Sequence, residues 1–490
     1  MTTPPSFDAL HLVPGIPASG RRLRCLLAVM GVLAAPAARL HADLSGTQVL
    51  ADEIITTSPA WNSGASPMWC TGAPLLVRQN GVVWASISIR DPDALAYCNN
   101  HWELWRREAD RPWKRVRQGP AAMEREPCPI ALVNPESLAV TIQPKVLYWT
   151  KDSQGELAWY CQPGVLVFDP DDLRREVRMW TPVFSPGAPF SQHSYRSLGV
   201  DPAAGEILLL VLGHNDIYRP TWRDAAGTWH PTGTLSFPVR GCYPEVVLRH
   251  RAGYVFAVGD IKEPNHEWKA EKFRVLKREW DYAFRRLFFT WTPDVATEGF
   301  KPALEVDSVD ETAGFARNLD MLVDAQGRVH LLWERRTIEY DFLRDRFFPG
   351  QPITESLIYA VIQDGRIVAR QTLMTRDATK DAHPGSTGRA SFFTTARLHE
   401  RPDGRLLAVI HTVDSAAGAD RTVLLLQELD PQAKSLPPAF RVPVERPFPD
   451  GWFFTDTPRG GTAPSNDLDL LGAETAGGQI ALRYVHIQLP

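Results

Sequence analysis

The chain has 490 residues, 44% of them hydrophobic, with 16 Trp and 41 Pro, a composition that excludes a disordered polymer. Its net charge of −4 and pI of about 6.4 lack the basic excess of a nucleic-acid binder, so no nucleic-acid partner is expected. The length exceeds what one ordinary core holds, unless the fold is a ring or a repeat array.

In chain order, the first element is a targeting pattern. Arg21, Arg22 and Arg24 precede an apolar stretch from Cys25 to about Ala38 that ends among small residues. This reads as a signal peptide over residues 1–42, cut between Ala35 and Asp43. The pair Arg21-Arg22 also permits a twin-arginine reading. The stretch is short for a bilayer span, and no later segment reads as transmembrane. A secreted or periplasmic protein is therefore expected. Such a compartment permits disulfides, and Cys70–Cys98 or Cys128–Cys161 would be local pairings. No Cys-x-x-Cys pair is present, which argues against a structural zinc site.

The rest of the chain, 43–490, repeats one motif. Apolar strand, short turn and apolar strand recur in "APLLVRQNGVVWASISI" from Ala73, "CPIALVNPESLAVTI" from Cys128, "RSLGVDPAAGEILLLVLG" from Arg196 and "PEVVLRHRAGYVFAVGD" from Pro244. They continue in "LDMLVDAQGRVHLLWE" from Leu319, "ARLHERPDGRLLAVIHT" from Ala396 and "DLDLLGAETAGGQIALRYVHI" from Asp467. The starts are 55, 68, 48, 75, 77 and 71 residues apart. A lone hairpin is barely stable in water, so each copy needs covered faces. More polar strands follow most copies, as in "HWELWRREADRPWKRV", "VLYWTKDSQGELAWY" and "ESLIYAVIQDGRIVARQTLM". About four strands per unit at this period predicts an all-β, seven-bladed β-propeller forming a single domain, with six or eight blades also compatible. Each repeated hairpin is expected to be the inner pair of its blade. The segment "VLADEIITTSPAW" near Val49 would supply the last blade's fourth strand. A helical insertion is expected near 264–289, where Trp268, Phe273, Leu276, Trp280 and Phe284 fall at helical steps. A second insertion, dense in Arg and aromatics, follows Glu334.

In a propeller, loops entering the innermost strands and loops leaving the second strands share one face, where ligands converge. Residues just before the inner strands are polar: His193, Tyr195 and Arg196; Tyr243 and Glu245; Arg317, Asn318 and Asp320; His383, Arg389 and Arg397; Arg459, Asn466 and Asp467. Trp69 and Glu126 hold the corresponding places before the first two hairpins. Together the arginines would form an anion-binding funnel and the aromatics would stack on sugar rings, although the same charges also suit ion pairs between blades. A His, Tyr and Arg group suits β-elimination at a uronic acid, with His193, Tyr195 and Arg196 as the candidate catalytic set. Hydrolysis would instead need two carboxylates, which Glu126, Glu245, Asp320 and Asp467 could supply. No P-loop, dinucleotide fingerprint or metal-ligand triplet appears, so no metal or cofactor is expected apart from a structural calcium that the channel could hold.

On "LDMLVDAQGRVHLLWE" and "ARLHERPDGRLLAVI", the chain resembles BNR-repeat, sialidase-like propellers. It looks closest to the branch with ulvan-type polysaccharide lyases and propeller rhamnosidases. The resemblance spans most of residues 73–490, but the Asp-boxes of many sialidases are missing. It implies an exported protein, most simply a monomer, that cleaves an acidic polysaccharide or oligosaccharide by β-elimination or glycoside hydrolysis. A non-catalytic glycan-binding or scaffold propeller is the alternative.

Overall fold

The computed structural model describes residues 43–62, 65–95, 97–109, 111–151, 157–193, 195–277, 282–379, 395–414, 421–433, 436–445 and 447–490. The signal-peptide segment lies outside them. The described chain is almost all β, with two short α-helices. It contains seven four-stranded antiparallel sheets, which we number as blades in chain order of their inner strands. Blade 1 spans 76–118, blade 2 130–180, blade 3 196–231, blade 4 241–308, blade 5 315–377 and blade 6 395–441. Blade 7 combines 453–488 with Gln48–Pro59 from the other end of the chain. Each blade's innermost strand neighbours that of the next, and Phe453–Thr455 of blade 7 neighbours Leu76–Gln79 of blade 1. The fold is thus a β-propeller, and its ring is closed by residues from both ends of the described chain.

The repeated hairpins are the inner pairs of blades 1 to 6, as their two-sided apolar character predicts. In blade 5, Phe315–Val323 pairs with Val329–Arg336, and both strands are almost wholly buried. The Asp324 carboxylate closes the turn by accepting N–H bonds from Gln326 and Arg328. Gly327 supplies the left-handed residue there, at φ 76°. Trp333, fully buried, donates its indole N–H to Asp307 of blade 4 at 2.7 Å.

Blade 7 corrects one expectation. The hairpin Asp467–Ala476 with Gln479–Gln488 forms its second and third strands, and the inner strand is the three-residue Phe453–Thr455. Three residues are too few to show a period in sequence. Gln48–Pro59 does supply the fourth strand, pairing with Gln479–Gln488. Blade 2 corrects another. "VLYWTKDSQGELAWY" is not its outer part: Lys145–Lys151 and Leu157–Cys161 form a separate sheet with Phe190–Ser191. The blade's own third and fourth strands are Gly164–Phe168 and Arg178–Trp180.

The first insertion contains a helix, His266–Leu276, capped by the Asn265 side chain on the amides of Glu267 and Trp268. Of the expected stripe, Leu276 is buried and Trp268 packs against the same cluster, Phe284 lies past the helix, and Trp280 lies outside the described residues. Phe273 is 48% exposed, whereas Lys272 is buried between Glu263 at 3.2 Å and Glu339 at 3.0 Å. Two carboxylates compensate the buried ammonium. The second insertion holds a further short helix, Asp341–Phe347, which its mixed aromatic and charged sequence did not announce. No helix among the described residues is long and apolar enough to cross a membrane.

Two segments fill the channel. The Thr71 carbonyl accepts from Arg397 of blade 6 at 2.9 Å, and the Gly72 carbonyl accepts from Ser197 of blade 3 at 3.3 Å. A Cβ on Gly72 would come within 2.4 Å of the Pro244 carbonyl oxygen in blade 4. A dipeptide touching blades 3, 4 and 6 must lie on the ring axis. The 3₁₀ turn Pro458–Gly460 does the same from blade 7. Gly460 abuts Pro74 and Val77, Gly461 abuts Leu132 of blade 2, and Arg459 reaches Asp320 of blade 5. The channel is therefore plugged by the chain's own backbone, and ligand access is confined to its mouths.

Candidate functional site

Above the Thr71–Gly72 plug, the loops of blades 1 to 4 bring together a group of rings. Trp69 sits in the turn entering blade 1, held by its amide to the Ser66 carbonyl at 3.0 Å. Tyr97 sits in the loop between blade 1's second strand, Val82–Arg90, and its third, Asn100–Arg107, at φ 62°. His193 and Tyr195 precede Arg196–Asp201 of blade 3. Tyr243 lies in Gly241–Arg249 of blade 4, at a β-bulge between Cys242 and Glu245 and at φ 49°. A bulge re-aims a side chain out of the ladder, and this one turns Tyr243 toward the mouth. Ring centroids run Tyr97 to His193 at 6.5 Å, His193 to Tyr195 at 6.4 Å, Tyr195 to Tyr243 at 4.8 Å and Trp69 to Tyr243 at 5.7 Å. Tyr195 is buried beneath; Trp69, Tyr97, His193 and Tyr243 are half-buried. Four partly open rings over one closed ring make an aromatic floor.

Charge is set into this floor. Arg125 packs over the Tyr97 ring at 5.1 Å, and Arg240 over the Tyr195 ring at 5.3 Å. Arg240 also pairs with Asp216 at 3.0 Å and Asp260 at 3.1 Å. Glu126 is buried, with the Cys70 thiol donating to Oε2 at 3.5 Å. Its Oε1 has no hydrogen-bond partner among the described residues, and the nearest guanidinium, that of Arg125, is 3.9 Å away. Burial raises the Glu126 pKa against the pull of Arg125 and Arg196. Burial, with Arg125 and Arg240 nearby, holds the His193 pKa well below the usual imidazole value, so its ring is neutral. Burial raises the Tyr195 phenol well above its usual value, with Asp260 adding to the effect. The mouth thus holds an imidazole and a phenol whose charged forms burial disfavours, and a carboxyl whose pKa burial raises.

The expected arginine funnel is arranged differently. Arg196 is buried in a pair with Glu124 at 3.3 Å and also donates to the Cys128 sulfur at 3.2 Å. Arg317 pairs with Glu334 at 2.7 Å and stacks on Trp452 at 3.6 Å. Arg397 donates to three carbonyls, those of Phe453, Thr71 and Leu319. Arg459 pairs with Asp320, whose other oxygen accepts the Leu398 amide at 2.7 Å. Asn318 donates to the Tyr243 carbonyl at 2.8 Å and to Glu245 at 3.0 Å. Burial raises the Glu245 pKa well above normal, opposed by Arg459 and Arg397. Arg397, Arg459, Asp320, Glu245 and Asn318 therefore meet around the plug, while Arg196 pairs separately and Arg317 turns toward blade 5's own Glu334. All four arginines are at most 6% exposed. His383 and Arg389 lie outside the described residues.

Sequence position alone found Trp69, Glu126, His193, Tyr195 and Tyr243, which the structure brings together. It passed over Tyr97, Glu124, Arg125, Arg240 and Asp260. Tyr97 and Asp260 follow second strands, whose exits share the same face, so that rule applied residue by residue would have marked both. Among the described residues no cluster of three or more His, Cys, Asp or Glu could hold a metal ion.

The sequence matches no protein-family model, and no curated protein sequence matches it. The fold is similar to a solved protein of unknown function from Dyadobacter fermentans, with TM-score 0.45 and 10% identity over 91% of this chain and 100% of that one. It is similar to an α-L-arabinanase of Penicillium chrysogenum complexed with arabinobiose, with TM-score 0.39 and 10% identity over 89% and 98%. It is also similar to the NanB sialidase of Streptococcus pneumoniae, with TM-score 0.35 and 8% identity over 74% and 68%. At this depth the likeness bears on neither substrate nor reaction, and it does not single out the lyase and rhamnosidase branch.

Proposed function

We propose that this is an exported carbohydrate-active enzyme that binds an acidic saccharide on the aromatic floor over blades 1 to 4 and cleaves it by β-elimination. The observation that carries this reading is the convergence of Trp69, Tyr97, His193 and Tyr243, all partly open, around Tyr195, with Arg125 over the Tyr97 ring and 3.9 Å from the buried Glu126 carboxyl. Flat rings suit the apolar faces of sugars, and a buried carboxyl whose pKa burial raises suits proton donation.

Neutral His193 would take the proton beside the uronate carboxylate. Arg125 would balance the charge that develops on that carboxylate. Glu126, in its acid form, would protonate the departing oxygen. Elimination needs one base, one acid and a cation, and those are the groups at this mouth. Hydrolysis by paired carboxylates would need an ionised partner for Glu126. Asp260 is tied to Arg240, and Glu124 is tied to Arg196 with its pKa raised by burial. Export rests on the basic and apolar pattern of residues 21–38.

The test is incubation with uronate-containing and neutral glycans. An ultraviolet-absorbing unsaturated product is expected from a uronate glycan. His193→Gln should lower kcat by about a hundredfold or more with a small change in affinity. New reducing ends without unsaturation would replace elimination by hydrolysis. Saturable binding without turnover would make the protein a glycan-binding propeller. Neither turnover nor binding would overturn the carbohydrate reading.

A further inference from the structure

Five cysteines are described, and all are buried thiols in this structure. The local pairings expected from sequence do not occur. Cys70 takes Glu126 as its partner and Cys128 takes Arg196. Instead Cys98 and Cys161, 63 residues apart, place their sulfurs 3.9 Å from each other. We propose that Cys98 and Cys161 form a disulfide that staples the inserted hairpin of blade 2 to the loop of blade 1 and so fixes two walls of the aromatic mouth.

Both residues sit in well-anchored backbone. Cys98 lies in the loop closed by the Asp91 amide on the Asn99 carbonyl at 2.9 Å, and Asn99 is buried. Cys161 ends the central strand of the three-stranded sheet, opposite Lys145 on one side and Phe190 on the other. A bonded pair needs its sulfurs about 2.0 Å apart, so side-chain rotation with a small backbone shift has to close the remaining gap.

The staple would act on the site because of what adjoins each sulfur. Tyr97 precedes Cys98. On the other side, Trp159 and Gln192 exchange hydrogen bonds, with the Trp159 amide on the Gln192 side chain at 2.9 Å and the Gln192 amide on the Trp159 carbonyl at 3.2 Å. Gln192 precedes His193. The link therefore joins the Tyr97 loop to the strand that positions His193.

The bond forms by exchange with a low-molecular-weight or protein disulfide. One cysteine thiolate attacks that disulfide, giving a mixed disulfide and releasing one thiolate. The second cysteine thiolate then displaces the other half. Two thiols are oxidised, one external disulfide is reduced to two thiols, and the two protons leave with them. In the folded protein the Cys161 thiol is raised far above its usual value by its contact with Cys98 and by burial. Exchange is therefore expected while the chain folds, and the finished bond is shielded from solvent.

The test is to refold the full chain in mixtures of oxidised and reduced glutathione, alkylate without reduction, and map the peptides. A linked peptide pair carrying Cys98 and Cys161 is expected, with a mass two hydrogens below the sum of the reduced peptides. The Tm should fall on adding dithiothreitol in the parent chain and stay unmoved in the Cys98→Ser/Cys161→Ser variant. Recovery of Cys98 and Cys161 as separately alkylated peptides at every glutathione ratio would overturn the proposal. So would a linkage of either to Cys70 or Cys128. Neither readout depends on any glycan, so the proposal stands or falls apart from the enzymatic reading.

Discussion

Glu124 shows how much of this interior turns on single protonation sites. Its carboxylate faces Arg196 and accepts the Gln143 amide at 2.9 Å, yet burial outweighs both and its pKa rises to about 7. A carboxyl that holds its proton more tightly when folded favours the folded state fully below its unfolded value, near 4.5, and loses that contribution as pH rises through about 7. The shift corresponds to roughly 3 kcal/mol. Urea denaturation should therefore show stability falling by about that much between these pH values in the parent protein, and by clearly less in Glu124→Gln. Above about pH 7, where the parent's Glu124 is ionised, the variant should also be weaker, because Arg196 is left buried without its counter-ion. Equal slopes in the two proteins would remove Glu124 as the source. Asp320 makes a parallel case without the titration. It holds Arg459 and the Leu398 amide at once, so Asp320→Ala is expected to cost about 3–5 kcal/mol in the same measurement. A loss below 1 kcal/mol would mean the pair contributes little to the plug.

At the scale of elements, the plug is the feature that sequence concealed. Gly72 touches the Pro244 and Tyr243 carbonyls so closely that a methyl group has nowhere to go. Gly72→Ala is expected to cost at least 1–3 kcal/mol, read as a lowered denaturation midpoint, whereas Ala at Gly81, with no neighbour within 4 Å, should cost only its backbone strain at φ 76°. An unchanged midpoint in Gly72→Ala would show that the segment leaves the axis. The inner hairpins were readable because burial on both faces writes a continuous apolar run, as in Glu206–Leu212. The strand Phe453–Thr455 was unreadable because three residues carry no period. In the site, Trp69, His193, Tyr195 and Tyr243 followed from the rule that loops before inner strands share a face, and Tyr97, which follows a second strand, did not. The arginines obeyed the same rule but point into the ring, and Arg196 before an apolar strand looks the same in sequence whether it meets a ligand or Glu124. What separates the two outcomes is a partner 72 residues away.

At the scale of the whole molecule, closure of the ring depends on one non-local pairing. Gln48–Pro59 runs antiparallel to Gln479–Gln488, with Asp52 and Arg483 paired at 2.5 Å and Glu53 reaching Arg107 of blade 1 at 2.5 Å. Register is thus fixed by charge as well as by the ladder, which suits a strand whose Leu50 and Ile54 are over half exposed and would otherwise slip easily. Without this strand, Gln479–Gln488 becomes a bare edge, and the contact between blades 7 and 1 loses its outer part. A chain lacking residues 43–59 should therefore unfold at lower temperature and self-associate. The aromatic mouth is built from the loops of blades 1 to 4 and not from this strand, so Trp69→Ala is expected to weaken glycan binding by about tenfold, the equivalent of one lost stacking contact. A synthetic peptide covering residues 46–60 should restore the Tm of the truncated chain in a concentration-dependent way, because it binds only the folded ring. If the truncated chain keeps the parent Tm, or if the peptide has no effect at high excess, ring closure does not depend on that strand and the inner-strand contacts of blades 7 and 1 suffice.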